Sequence, residues 1–549
     1  MTERTSQIAP TSRTTSGWSV GAAVIAAVVL LPIVAVIWMA LHPTQDIWRH
    51  LVSTTLPRYL GNSILLMAMV GVVTGVVGTT AAWMVVMYRF PASRWLEWAL
   101  LFPLAVPAYV GAYALVDFLE YAGPVQTGLR ALAGWESARD YAFPEVRSRG
   151  GAVIVISAAL YPYVYLLARA AFRELSAQSF EVARALGAGH GSRFLRVGLP
   201  LARPAIAAGM AVVMMETIND FGVVDYFGVQ TLTTGIFTVW LEQGNPGGAA
   251  QIACVILMLV LVLVTLEKIS RRRSRFYAMT RSERRPTRTR IRGLAGAAAT
   301  TFCAIPFALG FGLPVSILFG HAANEADRWL DPGLVQAALH SFTTGGAAAA
   351  LTVGAAVFLV YGVRLSGRGL PRLLMPATMI GYAAPGAVLG IGLLLPLAWF
   401  DNRVADLIVS LGAPDPGLLL TGSAAAIVLA YFVRFFAIGQ GATDAAMGRV
   451  SPSLPMAARA LGRTAGGTLG AVYLPLMRGS LATALLLVFV DAVKELPATL
   501  LLRPFNYDTL ATRVYEQASL ERIGDAAPAA LLVTAAGVIA VAALARANR

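Results

Sequence analysis

A polar segment occurs twice in this chain, 275 positions apart. The first copy is EVARALGAGHGSRFLRVGLPLARPAIA (residues 181–207), and the second is MAARALGRTAGGTLGAVYLPLMRGSLA (residues 456–482). Aligned without a gap, the copies are identical at 12 of 27 positions, including Gly187 with Gly462 and Pro200 with Pro475. Because the spacing is half of a 549-residue chain, the repeat predicts two copies of one structural unit.

The regions around the repeat are too apolar for a soluble protein. Hydrophobic residues make up 57% of the chain and charged residues 13%, too few polar side chains to cover a soluble protein of this length. Apolar runs of about 18 residues or more are long enough to cross a bilayer as helices. The sequence predicts an all-α polytopic membrane protein with about 12 transmembrane helices, at residues 18–41, 60–87, 97–118, 152–172, 203–224, 249–267, 293–319, 342–363, 373–398, 420–440, 478–499 and 527–545. Pro107 and Pro385 fall in the third span of each half and are expected to bend it.

The loops between these spans differ in charge. Basic residues concentrate on one side of the predicted membrane, at residues 4–13, 89–94, 169–203, 268–292, 364–372, 434–478 and 546–549. Since basic loops stay in the cytoplasm, both termini are predicted to be cytoplasmic, with residues 1–17 as a tail. Each half then has an even number of spans, so 18–267 and 293–545 are predicted to be parallel six-helix repeats, which disfavours an inverted-repeat secondary transporter.

Residues 268–292, between the two halves, are strongly basic. They contain 11 lysines and arginines, and the nearby acidic residues are Glu267 and Glu283. A nucleic-acid interface is one interpretation, but neither interleaved aromatic residues nor a nucleic-acid-binding fold accompanies the block. We therefore predict a cytoplasmic linker that is attracted to the anionic headgroups of the lipid bilayer, with no nucleic acid as partner.

Several enzyme classes are excluded by the residue inventory. The two lysines, Lys268 and Lys494, do not follow glycine, so the chain has no phosphate-binding P-loop and is not itself a P-loop ATPase. None of the five histidines forms the His-Glu-x-x-His pattern of zinc hydrolases. Cys254 and Cys303 lie inside predicted spans and are expected to be small packing residues.

Each copy of the repeated segment predicts a short helix between the fourth and fifth spans, on the cytoplasmic side. The helix is expected to end at Gly187 or Gly462, because glycine readily adopts the left-handed conformation of a helix C-terminus. Such a helix can lie along the membrane plane and enter a groove on a partner, and two copies at matched positions disfavour a mere connecting loop. The residues expected to face the partner are Ala183, Arg184, Ala458 and Arg459.

The pattern Glu-x-Ala, then Gly, then Leu-Pro with proline thirteen residues after the glycine resembles the coupling motif of binding-protein-dependent ABC transporter permeases. Pro200 and Pro475 complete this spacing in the two copies. The resemblance implies the MetI-like fold of type I importers, with coupling motifs at 181–200 and 456–475 whose helices dock onto two copies of an ABC ATPase. It also implies an extracytoplasmic solute-binding protein and no cofactor on this chain, since ATP and Mg²⁺ are used by the ATPase. Glu181 is the motif's acid, but Met456 replaces it in the second copy, which predicts two unequal docking sites.

Two further segments resemble the ferric-iron branch of this family, in which both permease halves are fused. They are ETINDFGVVDYFGVQTLTTGIFTVW (residues 216–240) and DAVKELPATLLLRPFNYDTLATRVYE (residues 491–516). The resemblance implies an inner-membrane permease that moves ferric iron into the cytoplasm by alternating access. Permeases for thiamine, polyamines, phosphonates or sulfate share the coupling motif and stay open as alternatives, as does an ion-coupled secondary transporter.

Four carboxylates are predicted deep in the membrane. Glu216 and Asp491 come thirteen residues after the start of a predicted fifth span, which at about 1.5 Å per residue is roughly 20 Å into a layer of about 30 Å. Asp220 and Glu495 follow one turn later. Because ionisable groups at such depth usually face a polar interior, we expect all four to line the pathway and to contact a trivalent cation transiently through hard oxygen ligands, without a stable metal site. Alternatively these groups satisfy one another, with Lys494 neutralising Asp491 or Glu495.

Overall fold

The computed structural model describes residues 17–43, 45, 47–175, 181–183, 185–272, 288–366, 370–379, 381 and 384–547. Within these residues, eleven helices are long and apolar enough to cross a membrane, and a bent pair of helices makes twelve if it is counted as one span. The strands described are one parallel pair of two residues each, Tyr88–Arg89 and Thr289–Arg290. The predicted all-α polytopic fold is therefore confirmed.

The helices follow the predicted order in both halves. The spans of the first half are Gly17–Leu41, Leu56–Met87, the bent pair Ser93–Ala105 and Ala108–Ala133, Arg149–Glu174, His190–Asn219 and Pro246–Arg272, with short helices at Trp48–Ser53, Gly222–Tyr226 and Leu232–Phe237. Those of the second half are Gly293–Asn324, Pro332–Ser366, the pair Leu370–Thr378 and Gly386–Ser410, Ala424–Gly448, Ala465–Val493 and Ile523–Ala547, with short helices at Ala326–Leu330, Ser453–Ala460, Pro497–Leu502 and Leu510–Ser519.

Some boundaries differ from those expected. The sixth span continues to Arg272, into the predicted linker 268–292, and the strand Thr289–Arg290 lies at the other end of that linker. The fifth spans begin before 203 and 478 and stop at Asn219 and Val493, short of the predicted ends at 224 and 499. Apolar composition continues past these ends, so hydropathy alone did not reveal where the helices stop.

The second, fourth and fifth spans pack together in each half and form its core. Small residues let the backbones approach closely. A Cβ atom added at Gly78 of the second span would lie 2.9 Å from the backbone nitrogen of Tyr165, and one added at Gly439 would lie 3.0 Å from Cγ2 of Thr352. Because glycine is used at close helix crossings in both halves, substitution there is expected to push the helices apart.

One hydrogen bond outside the repeated segment is also duplicated. The Ser63 hydroxyl accepts the backbone N–H of Leu232 at 3.0 Å, and the Ser341 hydroxyl accepts that of Leu510 at 2.7 Å. In each half this bond joins the second span to the first residue of a short helix between the fifth and sixth spans. The repeat inferred from the polar segment thus extends to the tertiary structure.

The two halves exchange their first spans. Gly17–Leu41 packs against the third-span helices of the second half, and a Cβ atom at Gly392 there would overlap the carbonyl oxygen of Pro32. In return, the end of the second half's first span, Leu313–Asn324, packs against Ala108–Leu119 of the first half. The halves are consequently interlocked rather than merely adjacent.

The third span of each half is interrupted at the proline expected to bend it. Pro107 and Pro385 directly precede the helices Ala108–Leu119 and Gly386–Ser410, with ψ angles of 142° and 150° that are not helical. In the first half the two parts of the span are bent by 97°. Proline has no backbone N–H to donate into the preceding turn, so the span is broken at this residue and not simply curved.

Candidate transport cavity and coupling helices

A cavity of about 340 Å³ lies between the two halves, where the fifth spans end. The interrupted third span of the first half and the fourth span of the second half also contribute to its wall. All four carboxylates singled out in the sequence line it: Glu216, Asp220, Asp491 and Glu495. Sequence reasoning thus identified groups that share one cavity, while their contact with a cargo stays a prediction.

Asp220 and Glu495 occupy equivalent positions and make equivalent hydrogen bonds. Asp220 Oδ1 accepts the backbone N–H groups of Val223 and Val224 at 2.9 and 3.3 Å. Glu495 accepts the backbone N–H groups three and four residues later, both at 3.1 Å. Each carboxylate thereby satisfies free N–H groups at the start of the short helix that follows the fifth span. These two residues therefore have a structural role, whatever they do for transport.

Glu216 and Asp491 lie in the last turn of their helices, one turn before these capping carboxylates. The coupling segments precede the opposite ends of the same two helices. Since both helices end at one cavity, both coupling segments lie on the same side of the molecule, which we call the coupling side. The four carboxylates are at the far ends of the fifth spans from that side.

Arg434 is a cavity residue on which the sequence predictions disagreed. The predicted span 420–440 contains it, whereas the charge count placed it in the basic region 434–478; the structure places it within the helix Ala424–Gly448. Its side chain is 14% exposed, and its Nη1 is 3.7 Å from Oε1 of Glu495. The signal was present in the sequence, since an arginine inside an apolar span is costly unless it faces a polar interior or a carboxylate.

Lys494 is bonded differently from the predicted alternative. Its Nζ donates a 2.7 Å hydrogen bond to the backbone carbonyl of Leu104, at the interrupted third span of the other half. In the part of the chain that the structure describes, Lys494 forms no ion pair with Asp491 or Glu495; Arg434 is the partner of Glu495. Lys494 also interacts electrostatically with Asp491, so the link between the halves is an addition to the alternative considered for it.

The charges around the cavity are unevenly distributed. Among the described residues of its lining, the basic side chains are Arg434 and Lys494, both from the second half. At the equivalent positions the first half has Ala159 and Asn219. With four carboxylates against two basic groups, the lining is acidic and suits a cationic cargo. No group of three or more His, Cys, Asp or Glu positioned to hold a metal ion occurs in the described residues.

The first coupling segment is described except for Arg184, as is the chain before it except for residues 176–180, so the predicted role of Arg184 lies outside the described residues. Residues 181–183 and Ala185 are helical. Gly187 has a φ angle of +80°, and the N–H of Ala188 donates to the carbonyl of Ala183 at 2.9 Å. This bond and the left-handed glycine form a Schellman motif, so the helix ends where the sequence predicts.

The second coupling segment repeats this geometry. Its helix is Ser453–Ala460, Gly462 has a φ angle of +82°, and the N–H of Arg463 donates to the carbonyl of Ala458 at 3.1 Å. The side chain of Arg459 interacts with the hydroxyl of Tyr361 in the second span. This interaction connects the second coupling helix to the second span.

The fifth spans contain a second duplicated backbone feature. A π-helical turn, Phe194–Gly198 or Leu469–Tyr473, precedes the α-helix in which Pro200 or Pro475 is the second residue. A proline ring clashes with the carbonyl four residues earlier and leaves it without an N–H partner. A wider π turn relieves this clash, so the Leu-Pro pair of the motif accounts for the irregularity.

Equivalent apolar side chains are exposed on the two coupling segments. Leu186 is 82% exposed and Leu461 is 85% exposed. At the unequal motif position, Glu181 is exposed and Met456 is 63% exposed. Exposed leucines beside a short helix are the kind of surface that fills a groove on a partner protein.

Residues 74–276 match the family model described as binding-protein-dependent transport system inner membrane component. The matched range contains the first coupling segment and the cavity residues Glu216 and Asp220. These residues form a permease domain of this family. The chain is a multi-pass membrane protein, and the family to which this domain belongs supplies the inner-membrane components of ABC importers, whose ATPase is a separate subunit.

Relatives of this permease differ in how much of it they match. Over 86% of its length it is 25% identical to Fe(3+)-transport system permease protein FbpB 2 of Haemophilus influenzae, 87% of which is covered. It is 26% identical over 36% of its length to Molybdenum transport system permease protein ModB of Escherichia coli, 87% of which is covered. It is 25% identical over 45% of its length to Sulfate transport system permease protein CysT of Escherichia coli, 88% of which is covered. The match to the first relative thus extends over both halves of this chain. The matches to the other two are no longer than one half of it.

Proposed function

We propose that this permease carries ferric iron, received from an extracytoplasmic binding protein, into the cytoplasm. The observation that carries the proposal is the acidic cavity between the halves, with four carboxylates and two basic side chains in its lining. Carboxylate oxygens are hard ligands suited to a trivalent cation. The relative that matches both halves is, by its name, an Fe(3+) permease, which supports the same cargo.

The transport step is alternating access driven by two ATPase subunits on the coupling side, which we assign to the cytoplasm together with both termini. Each fifth span runs without a break in helical structure from the coupling segment to the cavity, as His190–Asn219 and Ala465–Val493. A movement of the coupling helices therefore reaches Glu216 and Asp491 through a rigid element. Opening of the cavity to one side at a time follows from this movement.

Contact between cargo and cavity is transient in this proposal. Asp220 and Glu495 already accept backbone hydrogen bonds, and Glu495 is also paired with Arg434. Their capacity for a metal ion is thereby reduced, which favours passage over retention. Tight binding belongs to the separate binding protein, and the carboxylates of the cavity contact the ion only in passing.

The test is uptake of radioactive ferric iron by vesicles that contain the permease, its ATPase and the loaded binding protein. ATP-dependent uptake is expected, and Glu216→Gln or Asp491→Asn should reduce its rate at least tenfold while ATPase association stays unchanged. Vesicles without ATP are the control. Uptake driven by an ion gradient without the ATPase would instead identify a secondary transporter.

An oxyanion is the second candidate cargo. The molybdenum and sulfate relatives and the basic residues Arg434 and Lys494 in the cavity favour it. The same vesicles decide between the cargoes when sulfate, molybdate and thiamine are supplied with their own binding proteins. ATP-driven uptake of one of these, with none of ferric iron, would overturn the iron assignment.

A further inference from the structure

A strongly basic cleft lies apart from the transport cavity and the coupling helices. It is lined by residues 89–94, between the second and third spans, and by residues 288–293, where the linker between the halves ends. Its volume is about 640 Å³. Five arginines and no acidic residue line it, and we call it the arginine cleft: Arg89, Arg94, Arg288, Arg290 and Arg292.

The two sides of the arginine cleft are held together by backbone pairing. Tyr88–Arg89 and Thr289–Arg290 form the parallel strand pair, and the N–H of Ile291 donates to the carbonyl of Arg89 at 3.0 Å. Arg288 adds an ion pair with Glu97 at 3.1 Å. The arginines are therefore brought together by a built structure and not by chance proximity of mobile loops.

One buried carboxylate does not balance this charge. Glu97 is 6% exposed and is already paired with Arg169 and Arg173 in addition to Arg288. The other four arginines of the cleft are exposed and form no ion pair with any residue that the structure describes. Because like charges held close together repel each other, an anion in the cleft would stabilise this cluster.

The cleft lies at the membrane boundary on the coupling side. The hydroxyl of Tyr88, next to Arg89, is 3.2 Å from Nδ1 of His190 at the start of the fifth span. Two apolar side chains follow the cleft directly on helices that enter the membrane: Trp95 is 55% exposed and Leu294 is 92% exposed. Guanidinium groups thus lie next to apolar side chains that are not covered by protein.

We propose that the arginine cleft binds the phosphate group of an anionic phospholipid, with the acyl chains along Trp95 and Leu294. Guanidinium groups pair with phosphate oxygens in a bidentate manner, and basic pockets between membrane-entering helices hold anionic headgroups. A free phosphate compound would use the arginines but not the exposed apolar side chains. The bound lipid anchors the end of the linker between the halves.

The experiment is native mass spectrometry of the purified full-length permease titrated with phosphatidylglycerol, with phosphatidylcholine as the neutral lipid. The test variant is R94Q/R290Q, which leaves the Arg288–Glu97 pair intact. The matched control is R139Q/R403Q, which removes two exposed arginines outside the cleft. A third variant, R94K/R290K, keeps the charge and reports on guanidinium geometry, and thermal unfolding establishes that all variants fold.

We expect saturable binding of phosphatidylglycerol to the wild type and the control, and affinity roughly tenfold lower or weaker still in R94Q/R290Q. R94K/R290K should recover part of that loss. Equal lipid affinity in R94Q/R290Q and wild type would overturn the proposal, as would binding of inorganic phosphate without phosphatidylglycerol. Loss of ATPase association in R94Q/R290Q with unchanged lipid binding would also overturn it, because the cleft would then face a protein partner.

Discussion

The Nζ of Lys494 donates a 2.7 Å hydrogen bond to the backbone carbonyl of Leu104 and so joins the end of a fifth span to the interrupted third span of the other half. The acceptor is a carbonyl released by the break in the helix. Two features that look unrelated in the sequence, a proline-containing segment and a lysine in a distant span, are thereby joined at the wall of the cavity.

Lys494→Met removes this link. A typical hydrogen bond contributes about 0.5–1.5 kcal/mol to stability, so the variant should unfold at a lower temperature in detergent. Lys268→Met is the matched control, because Lys268 is the other lysine of the chain and is exposed. An equal melting temperature for both variants would show that the link between the halves does not contribute to stability.

Glu495→Ala removes the side-chain acceptor of two backbone N–H groups and leaves Arg434 without its carboxylate. Removing one partner of a buried pair costs about 3–5 kcal/mol, so a strong loss of thermal stability is expected. Asp444→Ala breaks the exposed pair with Arg364 and should cost about 1 kcal/mol or less.

The double variant E495A/R434M separates the two contributions of Glu495. The second substitution removes the unpaired arginine but does not restore the helix cap. Part of the lost stability should therefore return relative to Glu495→Ala alone. A double variant no more stable than the single one would assign the whole effect to the cap.

Gly187→Ala and Gly462→Ala test the ends of the coupling helices. A Cβ atom at either position would meet nothing within 4 Å, so any effect arises from the φ angles of +80° and +82°. A left-handed alanine costs roughly 1–2 kcal/mol, and we expect ATP-driven uptake to fall several-fold. Gly466→Ala, which also has open space but no positive φ, should leave uptake unchanged. Full uptake in both test variants would contradict a coupling role.

The motif position that holds Glu181 in one copy and Met456 in the other predicts opposite effects of substitution on ATPase affinity. Glu181→Gln should weaken ATPase binding and Met456→Glu should strengthen it, each by up to about fivefold, because exposed charge contacts contribute about 0.2–1 kcal/mol. Both side chains are exposed, so neither change disturbs packing. The measurement is the affinity of the purified ATPase for each variant, and equal affinities across the series would mean that this position does not touch the ATPase.

Much of the site followed from the sequence because it depends on local pattern. The glycines that end the coupling helices were predictable, because the left-handed conformation of a helix end depends mainly on the residue at that position and its neighbours in the sequence. The carboxylates were predictable because ionisable groups are rare in apolar spans. Arg434 carries the same signal, but a charge count along the chain assigned it to a loop.

The pairing of distant residues was not predictable in the same way. Neutralisation of a neighbouring carboxylate by Lys494 was one alternative, but its hydrogen bond to a carbonyl of the other half had no signal in the sequence. The exchange of first spans and the break at Pro107 determine which of these groups come into contact. Neither feature can be recognised from the hydropathy of the sequence.

The sequence by itself determined that the chain crosses the membrane many times, that its halves repeat one unit, and that a short helix ending in glycine precedes each fifth span. These properties are set by composition, spacing and backbone preference, which act over a few turns. The tertiary structure alone decided that Arg434 and Lys494 join the four carboxylates in one cavity and that five arginines form one cleft. Such groupings depend on close packing between segments that are far apart in the chain, which the local sequence pattern does not specify.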